Sequence, residues 1–268
     1  MTPASGWASR GRSGLPLVIG HRGASAVEPE NSLEAFRRAA ADGADGVELD
    51  VLRSATGEPV VFHDDDLQRL AGRADRIASL PLAALRGLRL RSGAAIPTLD
   101  EALAACGPEL LVNVELKAMG VPWAEIRALV RAVADLVDVP GVRERVLVSS
   151  FHPYAIWAWR RRAPRVPAGL LFEREAPRVL RSAWTLPLLG AFAVHPEAVL
   201  CSADAVKRWH ERGYRVNVWT VDAPAELARL RALGVDGVIT NDPAAARRAL
   251  AAPGGVSGGP GAVQGRRL

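Results

Sequence analysis

Gly46–His63, GVELDVLRSATGEPVVFH, is the stretch that decides the fold. It holds two apolar runs, "GVELDV" and "PVVFH", and both have the β-branched character of strands. A parallel partner requires a crossover of a dozen or more residues. Only Leu52 to Glu58 stand between these runs, and they include the turn-forming pair Thr56-Gly57. The second run is therefore a hairpin return from the first, not the next strand of a parallel sheet.

Outward from this point, further strand candidates are "LVIGH", "LLVNVEL", "VLVSSF", "AGLLF", "AFAVH", "VNVWTV" and "GVIT", separated by Ala-, Leu- and Arg-rich segments of helical period. That alternation argues for βα units around a parallel sheet. With "PVVFH" set aside as a hairpin arm, eight parallel candidates remain. The expected fold class is α/β, a single (β/α)8 barrel with a β-hairpin extension after the second strand. Its sites then sit at the carboxyl ends of the strands.

A chain of 268 residues that is 49% hydrophobic is long enough to bury one large core. Arg and Lys number 34 against 29 acidic residues, for a net charge of +5, but only Lys117 and Lys207 are lysines. The basic character is an arginine bias spread over the chain, and the one compact run, Arg160-Arg161-Arg162, reads as a solvated helix face; no nucleic-acid partner is expected. Cys106 and Cys201 lack metal-ligand spacing and make no disulfide framework, which fits a reducing compartment. Without an apolar leader or a run long enough to span a bilayer, the expected location is cytoplasmic, with no stable membrane insertion. Residues 1–14 and the Gly/Pro-rich residues 251–268 are expected to be disordered tails around a domain at 15–250.

Polar residues fall on the expected strand ends. His21 and Arg22 close the first strand, in "HRGASAVEPEN". Glu48 and Asp50 are two apart on the second, so period-two alternation aims both into the barrel, while Val47, Leu49 and Val51 face the helices. Asn113, Glu115 and Lys117 repeat the pattern on "NVELK". Three carboxylates against one lysine leave a negative excess that is costly to desolvate. Paired interior charges are the alternative reading, but a hard divalent cation, Ca²⁺ or Mg²⁺, removes the cost and suits oxygen ligands. His21 and His63 reach the same mouth and suit general acid–base work. His152 and His195 also lie near strand ends and read more simply as structural, while His210 reads as helix surface. Asn31 followed three residues on by Glu34 fits a capping box for the next helix. Glu30 either orients Arg22 or faces solvent.

Taken together, "HRGASAVEPENSLEAF", "GVELDV", "PVVFHDDDL", "IPTLDEAL", "LLVNVELK", "VLVSSF" and "VNVWTV…GVDGVITNDP" resemble the glycerophosphodiester phosphodiesterase family, within the phospholipase-C-like barrels. The resemblance covers residues 17 to about 250. It implies metal-dependent hydrolysis of small-molecule glycerophosphodiesters to sn-glycerol 3-phosphate and an alcohol. His21 and His63 would then be the acid–base pair, Glu48, Asp50 and Glu115 the ligands of one Ca²⁺ or Mg²⁺, and Arg22 and Lys117 the phosphate contacts. Trp219 would line the glycerol pocket or simply pack. The chain departs from the family pattern at Thr56-Gly57, where Asp-Gly is usual, and at Gln68-Arg69-Leu70-Ala71. A lysophospholipase-D-like activity is the alternative, suggested by the apolar "SAWTLPLLG" with Trp157 and Trp159.

Overall fold

The computed structural model of the protein describes residues 6–9, 14–181 and 186–252. Among the described residues nine strands are present: β1 Leu17–His21, β2 Gly46–Arg53, β3 Pro59–Val61, β4 Leu111–Leu116, β5 Val146–Ser150, β6 Ala168–Phe172, β7 Ala193–Pro196, β8 Arg215–Val218 and β9 Gly237–Thr240. Eight of them pair in parallel, in the order β1-β9-β8-β7-β6-β5-β4-β2, and a β1–β2 pairing closes the ring. The architecture is a TIM barrel. β3 lies outside the ring, antiparallel to β2, with Val51 opposite Val61 and Arg53 opposite Pro59.

The hairpin follows from local chemistry. Gly57 takes φ +108°, a conformation costly for other residues. Ser54 Oγ accepts from the amides of Gly57 and Glu58 at 3.1 Å, while the Glu58 carboxylate accepts from the Ser54 and Thr56 hydroxyls at 2.5 Å. Ser54 thus supplies the turn contact that an aspartate at position 56 would otherwise make. Beyond β3, residues 63–98 wrap a small core of their own, in which Phe62, Leu67, Ile77 and Leu85 are buried.

Outward-facing strand residues such as Val47, Leu49, Val112, Val114 and Val148 are fully buried against the helices, in one continuous core with Phe36, Leu99, Ile126 and Trp159. A separate cluster of Leu17, Ile19, Leu111, Leu147, Ala193 and Ile239 fills the barrel itself, and Trp7 joins it. Trp7 lies within residues 1–14, expected to be a disordered tail, and departs from that expectation. It lies in a helical turn, Gly6–Ser9, is buried, and donates Nε1–H to the Arg145 carbonyl at 3.0 Å. At the other end the last helix runs Pro243–Ala251, and residues 253–268 of the expected tail lie outside the described ones.

Above the apolar filling comes a buried polar layer. His195 has no exposed surface, and it packs over Gly169, where a Cβ would stand 2.6 Å from its Nε2. Its Nε2 is 3.2 Å from the Asn217 amide nitrogen, which marks it as an acceptor on a neutral ring. Burial pushes its pKa down to about 3. In the unfolded chain an ordinary histidine takes its proton near pH 6.5, so stability is lost as pH falls through the window between 6.5 and 3. Unfolding free energy should therefore drop by about 2 kcal/mol between pH 7.5 and roughly pH 5 from this residue alone. Urea unfolding of wild type and His195→Gln at both pH values measures it: the variant should lack that decrement, and an equal decrement in both would show that His195 is not neutral when folded.

Candidate functional site

The first strand ends in His21, and a tight turn through Gly23 at φ +86° follows. A Cβ there would lie 2.6 Å from Ala35, so only glycine lets this turn pack on the first long helix, Leu33–Ala41. The register sets His21 beside Glu48, Glu48 beside Asn113, Asp50 beside Glu115 and Glu115 beside Ser149. Period-two alternation then gathers the inward side chains. Glu48, Asp50 and Glu115 are all buried, and each offers an oxygen within 4.8 Å of the others.

Two cations meet these three carboxylates. Lys117 Nζ stands 3.0 Å from Glu115 and 3.4 Å from Asp50, and Arg22 Nε stands 3.3 Å from Asp50. The balance is uneven. Burial and its acidic neighbours push Glu48 well above the usual carboxylate range, although the Arg22 amide donates to it at 3.0 Å. Burial and Asp50 push Glu115 up to about 7, against the pull of Lys117. Burial also acts on Asp50, but Lys117 and Arg22 outweigh it and hold this carboxyl low. Like charges so close resist joint ionisation. A divalent cation would relieve this, and an all-oxygen donor set suits a hard ion.

Both histidines are held through Nδ1. His21 donates Nδ1–H to Asn241 Oδ1 at 2.7 Å, and the orientation of Asn241 is fixed because its own amide donates to Asp222 at 2.6 Å. Burial, then Arg22, lowers the His21 pKa below its ordinary value. The partner of His63 is instead a carboxylate, Asp64 Oδ1 at 2.6 Å. Each ring keeps Nε2 for other work. Two cavities flank the carboxylates: one of about 480 Å³ lined by His21, Arg22, Glu30 and Asn241, and one of about 310 Å³ lined by His63, Glu115, Lys117, Met119 and Phe151.

Asn31 corrects one expectation. Ser32 is the N-cap of the helix, accepting the Ala35 amide at 3.1 Å, so no capping box forms at Asn31–Glu34. Asn31 instead adopts φ +57° and grips Asp50 from both sides: its Nδ2 donates to Asp50 Oδ2 at 2.9 Å and its Oδ1 accepts the Asp50 amide at 3.3 Å. Glu30 is the residue that orients Arg22, at 2.8 Å. It also accepts two bonds from Arg69, which in turn holds Asp64 at 2.6 Å. Despite its burial, Glu30 is lowered to about 2 by Arg69 and Arg22. The chain Arg22–Glu30–Arg69–Asp64–His63 is thus continuous; sequence reading assigned roles to its two ends, left Glu30 open between orienting Arg22 and facing solvent, and gave none to Arg69 or Asp64.

Trp219 donates Nε1–H to the His195 carbonyl at 2.8 Å and meets Phe151 edge-on at 5.3 Å between centroids. His152 caps the helix Pro153–Arg162, its Nδ1 accepting the Tyr154 amide at 3.2 Å.

Comparison with known proteins fits this geometry. A profile of the "Glycerophosphoryl diester phosphodiesterase family" matches residues 21–245, which span every group described above. The chain belongs to that family. Among relatives in this family, the "Glycerophosphodiester phosphodiesterase" of Caldanaerobacter subterraneus subsp. tengcongensis is 33% identical over 237 residues, covering 85% of this chain and 94% of its own. A "Probable glycerophosphodiester phosphodiesterase 1" of Mycobacterium tuberculosis is 31% identical, covering 88% and 93%. A solved Oleispira antarctica phosphodiesterase, in complex with the product sn-glycerol-3-phosphate, superposes with a TM-score of 0.77 at 28% identity, over 89% of this chain and 98% of that one.

Proposed function

We propose that this family member hydrolyses glycerophosphodiesters to sn-glycerol 3-phosphate and an alcohol in a metal-dependent reaction, with His21 and His63 as the acid–base pair. One observation carries the reading: two histidines, each oriented through Nδ1, flank a buried trio of carboxylates at the mouth of a family-typical barrel. Glu48, Asp50 and Glu115 are the residues to hold a Ca²⁺ or Mg²⁺ ion. When bound, such an ion supplies positive charge beside the phosphoryl oxygens and eases ionisation of a nearby hydroxyl. Arg22 and Lys117 add a planar fork and a point charge for the same oxygens.

The partner chemistry orders the two histidines. A neutral amide oxygen at Nδ1 of His21 leaves a lone pair on Nε2, which suits a base. A carboxylate at Nδ1 of His63 compensates a charged ring, which suits an acid. Arg69 fixes Asp64 and, through Glu30, the fork of Arg22, so phosphate contact and acid share one rigid network.

The lysophospholipid alternative loses part of its motive. Trp159 is fully buried and donates to the Val166 carbonyl, so it packs the helix, and residues 182–185 of "SAWTLPLLG" lie outside the described ones. Trp157 remains exposed. Purified protein with Ca²⁺ or Mg²⁺ should release glycerol phosphate from glycerophosphocholine or another member of a headgroup panel, faster than it cleaves lysophosphatidylcholine. Absence of release across the panel and both metals would overturn the proposal; a faster rate on lysophosphatidylcholine would favour the alternative.

A further inference from the structure

Beside the mouth, the loop that begins at Lys117 carries two large apolar side chains into solvent, Met119 at 62% and Trp123 at 65% exposure. Trp123 opens the helix Trp123–Val137 and stacks on Tyr154 of the neighbouring helix, Pro153–Arg162, at 4.9 Å between centroids. Tyr154 stacks on Trp157 at 5.5 Å, and the Arg161 guanidinium lies 4.2 Å over the Trp157 ring. Trp157 is 37% exposed. A groove of about 300 Å³ between the two helices is lined by Arg127, Arg131, Trp157, Arg161 and Arg162.

The charges along this row do not cancel. Arg162 pairs with Asp135, and Glu125 is taken by Arg53. Arg127 donates to the Tyr154 hydroxyl at 3.1 Å and has no carboxylate partner among the described residues, nor do Arg131 and Arg161. Three uncompensated guanidinium groups therefore border a row of exposed aromatic rings. Core packing does not require this: ordinary helix packing buries such rings, whereas Trp123 keeps most of its surface in water. Aromatic rings among arginines match the interface of an anionic bilayer, where rings sit at headgroup level and guanidinium groups meet lipid phosphates. Single-stranded nucleic acid fits less well, because bases need free ring faces. Here Tyr154 and Trp157 spend their faces on neighbouring rings and on Arg161, which leaves Trp123 as the one ring of the row with a free face.

We propose that the row Met119–Trp123–Tyr154–Trp157, with Arg127, Arg131 and Arg161, docks the protein on anionic phospholipid surfaces and holds the catalytic mouth at the interface. The docking stands on this surface alone. Only its consequence, that phosphodiesters are drawn from the lipid surface, rests on the function proposed above. No membrane span is involved, and among the described residues no helix is long and apolar enough for one.

The test is co-sedimentation of the full-length protein with vesicles of phosphatidylcholine alone or mixed with phosphatidylglycerol, at low and high salt. Binding should be confined to the anionic vesicles and weaken with salt. Each arginine near such a surface contributes about fivefold, so the triple variant Arg127→Gln/Arg131→Gln/Arg161→Gln should bind about a hundredfold more weakly. Trp123→Ala should weaken binding in the same direction. Neither variant touches the residues at the mouth, so hydrolysis of water-soluble glycerophosphocholine should be unchanged in both. Equal partition onto neutral and anionic vesicles, or a triple variant that binds like wild type, would overturn the proposal. So would tighter binding of single-stranded RNA than of anionic vesicles through the same arginines. If wild type binds anionic vesicles as expected but hydrolyses no glycerophosphodiester, the docking stands and the functional reading fails.

Discussion

On the proposed metal site, Glu48→Ala, Asp50→Ala and Glu115→Ala should each lower kcat/KM by about 10³-fold, because a bound ion would provide several kcal/mol of transition-state charge stabilisation and two carboxylates would not position it. EDTA should produce the same loss in wild type, reversed by excess Ca²⁺ or Mg²⁺. Stability in EDTA should separate the three variants. Glu48 and Glu115 are crowded by like charge in the metal-free protein, so removing either should leave unfolding free energy unchanged or raised. Asp50 pairs with both Arg22 and Lys117 and accepts from Asn31, so its removal leaves these cations only Glu30 and Glu115 and leaves the buried Asn31 amide without its acceptor. Asp50→Ala should therefore cost about 3 kcal/mol. Urea unfolding in EDTA reads these differences, and the rise in Tm that added ion gives wild type should vanish in all three. Full activity in chelated protein would sink the metal site.

The barrel and the positions at its mouth were legible because they rest on short-range rules. The seven residues between "GVELDV" and "PVVFH" admit only a hairpin, and alternation along β2 and β4 fixes which side chains face inward whatever the rest of the chain does. What escaped depends on approaches that no local pattern encodes. Asn31 sits where Asn, Ser and Glu compete for the same cap; Ser32 won because the chain turns at Asn31 to reach Asp50, nineteen positions away. Asn241 and His21 are 220 positions apart, and Glu30 and Arg69 are 39 apart. "HDDDLQR" includes the recognised His63, and "ITNDP" lay only in a stretch that carried the family resemblance; those were the available clues. Trp7 lies in a polar Gly/Ser segment without periodicity, and only the open lower end of the barrel gives it a place.

The proposed acid–base pair gives the other large effect. Among the described residues no serine or cysteine near the mouth is paired with a base: Ser25 Oγ donates to Asn241 Oδ1 at 2.9 Å, Ser150 Oγ donates to the Leu116 carbonyl at 2.8 Å, Ser149, beside Glu115 on β5, is fully buried without a hydrogen-bond partner, and both cysteines are buried with thiols pushed up to about 12. The proposed reaction then takes its nucleophile from water or from the substrate. A glycerophosphodiester carries a hydroxyl on the carbon next to its phosphoryl ester, and such a tethered group can lower the barrier by about 7–11 kcal/mol. On this route Nε2 of His21 takes the hydroxyl proton as its oxygen bonds to phosphorus, and His63 protonates the oxygen of the alcohol as the bond from phosphorus breaks. In the second half His63 takes a proton from water, water oxygen bonds to phosphorus, and His21 returns its proton to the ring oxygen, opening the cyclic phosphate to glycerol 3-phosphate. His21→Ala and His63→Ala should each lower kcat by about 10²–10⁴-fold. Neither residue belongs to the carboxylate trio, so the ion-induced rise in Tm should survive in both. His63→Ala should recover most with a substrate whose alcohol is a good leaving group, such as a nitrophenyl ester, because that oxygen departs without a proton; His21→Ala should not. A substrate that lacks the adjacent hydroxyl should resist the wild-type enzyme, with no transient cyclic phosphate detectable by phosphorus NMR. Its hydrolysis at the normal rate would mean that water attacks directly, and recovery of His21→Ala instead of His63→Ala by the nitrophenyl ester would exchange the two roles.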